Sequence, residues 1–301
     1  MQIGSMGPFQ SRMSGTQARS APEKLLYSDI DDTFTTKELN AENHERMRQC
    51  MAEAPELAFG LSTARRMEDV KKLADRLKGF PLCFLGASNG AELYINEKNL
   101  PADEWLMSLT KDDQDPTYRA EVAGKLPGWE PVTAVPAALQ QWGFEEVPGK
   151  PGGREFRNGD AVVLIFPGNS AFSLKGGEAG LGVKISQALQ SSYAKLGIAT
   201  EDEVNKTKSG YEIHQVLPRE VNKASLLEHL VARIPSLTTV ITAGDGPADK
   251  QLLPDQVAGR PNLRIVAGDG LELKERLGGQ EQVAWVASGD LAPALNRYLN
   301  S

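Results

Sequence analysis

The segment Leu25-Leu26-Tyr27-Ser28-Asp29-Ile30-Asp31-Asp32-Thr33 sets three carboxylates where a short apolar run gives out. Inside such a run a carboxylate is costly to bury. At the carboxyl end of a strand in a parallel sheet, however, it faces the crevice where ligands bind. Asp29 and Asp31, separated by one residue, can both approach one bound group. Closely spaced carboxylates tend to split their protonation states. One stays ionised as a nucleophile or metal ligand while the other keeps a proton to give away. That division of labour points to an enzyme.

A second apolar run, Leu237–Ala243, ends the same way, in Gly244-Asp245-Gly246-Pro247-Ala248-Asp249. Pro247 suits the first position of a helix, where a missing N–H is no loss. Asp245 then stands at a strand tip and Asp249 in the first helical turn, both toward the crevice. Carboxylate oxygens with open positions suit Mg²⁺, a hard cation that keeps waters and binds substrate phosphate. His44, His214 and His229 are far apart and share no zinc spacing. Two further groups fit an anion. Thr63, followed by Ala64 and Arg65, ends a strand and can turn a hydroxyl and backbone N–H groups to a phosphate. Lys223 opens a helix and offers a compact positive charge. Taken singly, a strand-end threonine is most often a cap and a lone lysine a solvated surface group.

Alternating elements must carry these tips. The pattern predicts strands over Leu25–Ile30, Glu56–Ser62 and Pro81–Gly86, with helices over Ala41–Glu53 (begun near Asn40) and Met67–Leu77. Strands parted by helices of that length imply a doubly wound parallel sheet, an α/β core. Residues 92–210 break the pattern with Pro and Gly clusters (Pro148–Gly153, Gly176–Gly182), a strand at Ala161–Phe166 and a helix over Ile185–Leu196. They read as an inserted α+β domain. Gly180-Leu181-Gly182 lacks the rest of a dinucleotide fingerprint and reads as a loop. The alternation resumes over 211–301 with Tyr211–Leu217 extended and a helix over Lys223–Ala232. Strands at Leu237–Ala243, Asn262–Ala267 and Gln282–Ala287 follow, then a terminal helix over Leu291–Leu299. The expected division is a tail at 1–22, core at 23–91, insertion at 92–210 and core again at 211–301.

Bulk composition excludes several classes. A chain of 301 residues, 40% hydrophobic and 24% charged, can bury a substantial core. Its net charge of −7 argues against nonspecific binding to nucleic acid or an anionic membrane, so an anionic substrate needs a local cation or metal. No apolar run approaches the length of a membrane span. Cys50 and Cys83 are isolated and read as reduced thiols of a cytoplasmic protein. Residues 1–22 are rich in Gly, Ser, Gln and Met, with two arginines and no acid. They read as a disordered tail or an upstream start. They also resemble the export signal of a bacterial type III secreted effector, and a protein partner is expected only under that reading.

As an ordered set, Asp29-Ile30-Asp31-Asp32-Thr33, Ser62-Thr63-Ala64-Arg65, Lys223 and Gly244-Asp245-Gly246-Pro247-Ala248-Asp249 resembles the four motifs of the haloacid dehalogenase superfamily. Ser88-Asn89-Gly90-Ala91 before the long insertion is similar to the entry into a C2-type cap. Ala91-Glu92-Leu93-Tyr94 with Trp105 is similar to the branch holding sucrose-6-phosphate phosphatase and its relatives.

The resemblance implies a Rossmann-like core with an α+β cap and a Mg²⁺-dependent phosphomonoesterase acting on a sugar phosphate or similar small metabolite. It implies that Asp29 attacks phosphorus to form an aspartyl-phosphate. Asp31 would protonate the leaving alcohol and then deprotonate water. Thr63 and Lys223 would hold the phosphoryl oxygens. Mg²⁺ would sit on the Asp29 carboxylate, the Asp31 backbone carbonyl and Asp245, with Asp249 direct or through water.

Three positions depart from the family pattern: Asp32 and Ala64 stand where glycine is usual, and Ala248 where asparagine is common. Asp32 tolerates left-handed backbone. Two alternatives stay open: a phosphosugar mutase, which shares core and cap, and a secreted effector or binding protein that retains the fold. Arg154, Arg157, Lys175 and Lys184 in the insertion read equally as pocket lining or as solvated surface charge.

Overall fold

The run that carries the first acids is a strand, β1 (Lys24–Asp29), buried at every position after Lys24. Burial on both faces is what an interior strand of a parallel sheet requires. The computed structural model describes residues 21–36, 40–127, 134–148, 154–166, 171–206, 210–268, 271–280 and 282–300. Residues 1–20 of the expected tail, with the proposed export signal, lie outside the described residues, as do residues 149–153 of the Pro148–Gly153 cluster.

After β1 the strands are β2 (Leu57–Ser62), β3 (Leu82–Ala87), β4 (Glu92–Ile95), β5 (Glu145–Val147), β6 (Arg154–Asn158) and β7 (Ala161–Phe166). Then come β8 (Ala171–Lys175), β9 (Thr200–Lys206), β10 (Glu212–Pro218), β11 (Thr239–Gly244), β12 (Gln256–Val257), β13 (Arg260–Ala267) and β14 (Val283–Val286). The chain divides into two compact units. Among the described residues, one comprises those within 1–63, 67–115 and 223–301, the other those within 64–66 and 116–222.

The first unit holds one sheet in the order β12-β13-β11-β1-β2-β3-β4, with β14 also paired to β13. Its central pairings are parallel, and β4 and β12 close the edges antiparallel. Helical segments Ala41–Ala52, Met67–Leu77, Lys223–Arg233 and Leu271–Leu277 lie between the strands. Asn40 starts the first of them: its side chain accepts from the N–H of Asn43 at 3.1 Å, as a helix N-cap should. Register pairs Asp29 with Ser62 and Ser62 with Gly86, while Ser28 pairs with Ala243. The strands that carry the acids and Thr63 therefore end in one row, at one edge of the sheet.

Two glycines make that row possible. Tyr27 is fully buried, and a Cβ on Gly60 would stand 3.0 Å from its Cδ2, one on Gly86 2.7 Å from its hydroxyl. The tyrosine ring thus lies across β2 and β3, where only a residue without a side chain leaves room. Gly86→Ala is expected to destabilise the chain by about 1–3 kcal/mol through overpacking, measured by urea denaturation. An unchanged midpoint would mean that the ring moves freely.

The first unit extends farther into the chain than the sequence suggested. The insertion was expected at 92–210, but β4 pairs antiparallel with β3, and Ala102, Trp105 and Leu106 are buried in the first unit's core. At the other end β10, expected to begin the resumed core, pairs antiparallel with β8 and β9 in the second unit. An isolated extended segment does not reveal which sheet it joins, so the boundary falls after Asn222.

The second unit is a six-stranded antiparallel sheet ordered β5-β6-β7-β8-β10-β9, with helices including Leu181–Ala194. That helix starts at Leu181, inside the segment expected to be a loop and ahead of the expected Ile185. Gly180 enters it with φ +86°, and Gly182 lies against the buried His214 ring, where a Cβ would collide with Nε2. Lys175 lies over the Tyr211 ring and Lys184 over Trp142, while Arg154 pairs with Glu146 and Arg157 with Glu155. Among the described residues no helix is long and apolar enough to cross a membrane.

Candidate active site

At the shared strand edge the acids of the first and last motifs meet. One carboxylate oxygen each of Asp29, Asp245 and Asp249 lies within 4.8 Å of the others. Lys223 bridges two of them: its Nζ donates to Asp29 Oδ1 at 2.5 Å and to Asp249 Oδ1 at 2.8 Å. The lysine is 6% exposed, Asp29 7% and Asp249 3%, so these charges are shielded from water. Lys223 is also the first residue of its helix, where the macrodipole disfavours a cation. The two carboxylates must therefore outweigh both burial and dipole.

The electrostatics follow from burial. Burial pushes the Asp29 carboxyl well above its ordinary range, and the Asp249 and Asp245 carboxylates push it further, against the nearby Lys223 ammonium. Asp245 is pushed up to about 6 by burial first and by Asp249 second, with the Thr33 hydroxyl bond and Lys223 opposing. Burial works against the Lys223 charge, yet Asp249 and Asp29 together raise its pKa above the usual lysine value. The Lys223 ammonium pairs with two of the three acids, so the set, once ionised, carries more negative charge than one ammonium balances. That set fits a divalent hard cation better than a soft one.

Asp249 has a second task. Its Oδ2 accepts the backbone N–H of Asp245 at 3.2 Å and of Gly246 at 3.3 Å. It thereby fixes the loop that presents Asp245. The chain after Gly246 forms a short 3₁₀ turn, Pro247–Leu252, in place of a regular helix. Gly244 is required beneath it, because a Cβ there would collide with the Cβ of Asp249.

The remaining sequence-derived residues take less central places. Asp31 lies two residues past β1 on a tight loop, half-buried, and its carboxylate is not part of the three-acid group. The loop is closed by Asp32 N–H to Thr35 O at 2.9 Å and Thr35 N–H to Ile30 O at 2.9 Å. Asp32 sits at φ +55°, a left-handed conformation that aspartate tolerates. Thr63 is buried one residue past Ser62, the register partner of Asp29. One contributor was missed: Thr33 Oγ1 donates to Asp245 Oδ1 at 2.7 Å, tying the first motif to the last. Its place at the end of the acidic run was the signal available in sequence.

The chain is similar to several known proteins. Residues 22–134 match the family model for sucrose-6F-phosphate phosphohydrolase. A search of curated proteins gives no match. Among solved structures, a sucrose-phosphatase from Synechocystis sp. PCC6803, in complex with sucrose and phosphate, is 13% identical with a TM-score of 0.55. The alignment covers 92% of this chain and 98% of that one. A haloacid dehalogenase-like hydrolase from Bacteroides thetaiotaomicron is 16% identical, TM-score 0.53, covering 91% and 99%. A subclass IIB sugar phosphatase is 11% identical, TM-score 0.51, covering 91% and 98%. At such identities the structural likeness establishes the fold, a Rossmann-like α/β core with a cap domain.

Proposed function

We propose that the chain is a phosphatase of the haloacid dehalogenase superfamily and that it hydrolyses the phosphate monoester of a sugar or similar small polar metabolite. The observation that carries this reading is the buried Asp29–Lys223–Asp249 triad with Asp245 beside it. A protein that only binds a partner has no physical need for three clustered carboxylates around a shielded ammonium.

In this reading Asp29 is the nucleophile. A carboxylate oxygen of Asp29 forms a bond to phosphorus as the bond to the ester oxygen breaks, and Asp31 gives its proton to the departing alcohol. Asp31 then takes a proton from water, whose oxygen attacks phosphorus and releases inorganic phosphate, restoring Asp29. Lys223 and Thr63 hold the phosphoryl oxygens in line. Mg²⁺ held by the carboxylates of Asp29 and Asp245 and the backbone carbonyl of Asp31 would neutralise charge on those oxygens. Asp249, whose two oxygens already accept from Lys223 and the 245–246 loop, contributes through water and by holding that loop.

The test is a phosphate-release screen over sugar phosphates with and without Mg²⁺, with Asp29→Asn as the blank. Free phosphate from one ester class, dependent on metal and Asp29, is the expected result. Phosphate moved within the sugar but never released would turn the reading to a mutase. An effect that survived Asp29→Asn would turn it to a binding protein.

Proton competition gives a second check. With Asp245 pushed up to about 6, a proton must leave before a cation binds there. Apparent Mg²⁺ affinity is therefore expected to fall about tenfold between about pH 7 and about pH 5, measured by calorimetry. A flat profile over that range would remove Asp245 from the metal set.

A further inference from the structure

Three consecutive residues after β3 hold left-handed backbone: Ser88 at φ +52°, Asn89 at +55° and Gly90 at +89°. Glycine does this freely and asparagine with modest cost, but serine has no such tolerance. Strain of this kind persists only where surrounding structure over-determines it. Here the surroundings can be named. Ser88 Oγ donates to Glu92 Oε1 at 2.9 Å, and the Tyr94 hydroxyl donates to Glu92 Oε2 at 2.7 Å. Tyr94 is 1% exposed, and burial first, then the Glu92 carboxylate, raise its pKa so that the phenol remains a donor. Glu92 is therefore held from one side and holds Ser88 from the other.

The strained turn leads directly to the site. Asn89 N–H donates to the backbone oxygen of Thr63 at 3.0 Å, while Thr63 N–H donates to Gly86 O at 2.9 Å. The backbone of Thr63 is gripped from both directions by β3 and the turn that follows it. We infer that Glu92 is a positioning residue for phosphate recognition: by fixing Ser88 in a left-handed conformation it presents Asn89 N–H to Thr63 and sets the height of that threonine at the strand edge. Glu92 touches neither the acid cluster nor Lys223 among its hydrogen bonds to Ser88 and Tyr94. The inference rests on the phosphatase reading for the role of Thr63.

The experiment uses the full chain with Mg²⁺ and two probes: p-nitrophenyl phosphate for turnover, and inorganic phosphate for binding, read as a rise in melting temperature. Glu92→Ala is expected to raise KM and to weaken phosphate binding by about tenfold, the size of one lost strained conformer, while kcat falls less. Glu92→Gln, which can still bond both hydroxyls, is expected to behave as the parent chain. The decisive variant is Ser88→Gly combined with Glu92→Ala. Glycine needs no support to stay left-handed, so it should restore most of the lost phosphate affinity.

If Glu92→Ala fails to fold, Tyr94→Phe takes its place, with a smaller loss that Ser88→Gly again reverses. Unchanged KM and phosphate binding in these variants overturn the inference. So does a loss that Ser88→Gly does not restore, since Glu92 would then act by charge or packing. A parent chain that releases no phosphate from esters and gains no stability from the ion overturns the phosphatase reading and this inference together.

Discussion

Asp29→Asn is expected to lower phosphate release by about 10⁴-fold or more while leaving the chain at least as stable as before. The two halves of that outcome have one cause. An amide cannot attack phosphorus and be regenerated by water, so the two-step route is closed. Yet asparagine keeps the oxygen that accepts from Lys223, so the local hydrogen bond survives. It also removes one of three carboxylates from a shielded cluster where burial and like charge disfavour ionisation.

The sign follows from linkage. A carboxyl whose folded pKa is raised contributes stability that is present below its unfolded pKa and lost as pH rises through the folded value. As pH rises above the unfolded value the parent chain progressively loses that contribution, whereas the neutral amide never titrates. The metal-free variant should therefore unfold at equal or higher denaturant than the parent at neutral pH, and the difference should shrink as pH falls. Activity that persists in the variant, or a marked loss of stability, would contradict the assignment of Asp29.

How far the sequence carried the reading depends on what kind of information each feature needs. The acid-bearing strands could be found because a buried parallel strand is apolar throughout and its end is marked by the first charges, as at Ser28-Asp29 and Gly244-Asp245. Lys223 could be placed at a helix start, but its bonds to Asp29 and Asp249 span 194 and 26 residues and follow only from how the strands align.

Two elements at the unit boundary were misplaced for the same reason. The β4 segment, Glu-Leu-Tyr-Ile, and β10 both read as extended, but partner choice in a sheet is nonlocal, and β4 turns back on β3 through a left-handed turn that no apolar pattern announces. The helix at Leu181 was read too late because Gly182 suggested a loop. That glycine is there to admit the His214 ring. Thr33 was seen only as the end of the acidic run, since its partner Asp245 is 212 residues away.

Lys223→Met should produce the second large effect, on stability and activity alike. Methionine nearly fills the lysine's volume but carries no charge, so packing changes little while Asp29 and Asp249 lose their shared donor. Breaking a buried pair in this way costs about 3–5 kcal/mol, because the carboxylates left behind remain shielded from water. Turnover should fall by about 10²–10³-fold, the usual consequence of removing one donor that meets developing charge.

The stability loss has a pH signature that a packing defect lacks. Without the ammonium that opposes it, the Asp29 carboxyl rises further above its ordinary range, so the folded variant gains protons, and stability, as pH falls. Urea midpoints measured for parent and variant should therefore lie far apart at neutral pH and converge in mild acid. Added Mg²⁺ should narrow the gap at neutral pH by supplying positive charge to the same oxygens. A gap that is constant with pH and indifferent to the cation would mean that Lys223 serves as filler, and the reading of a charge-balanced phosphoryl site would fail with it.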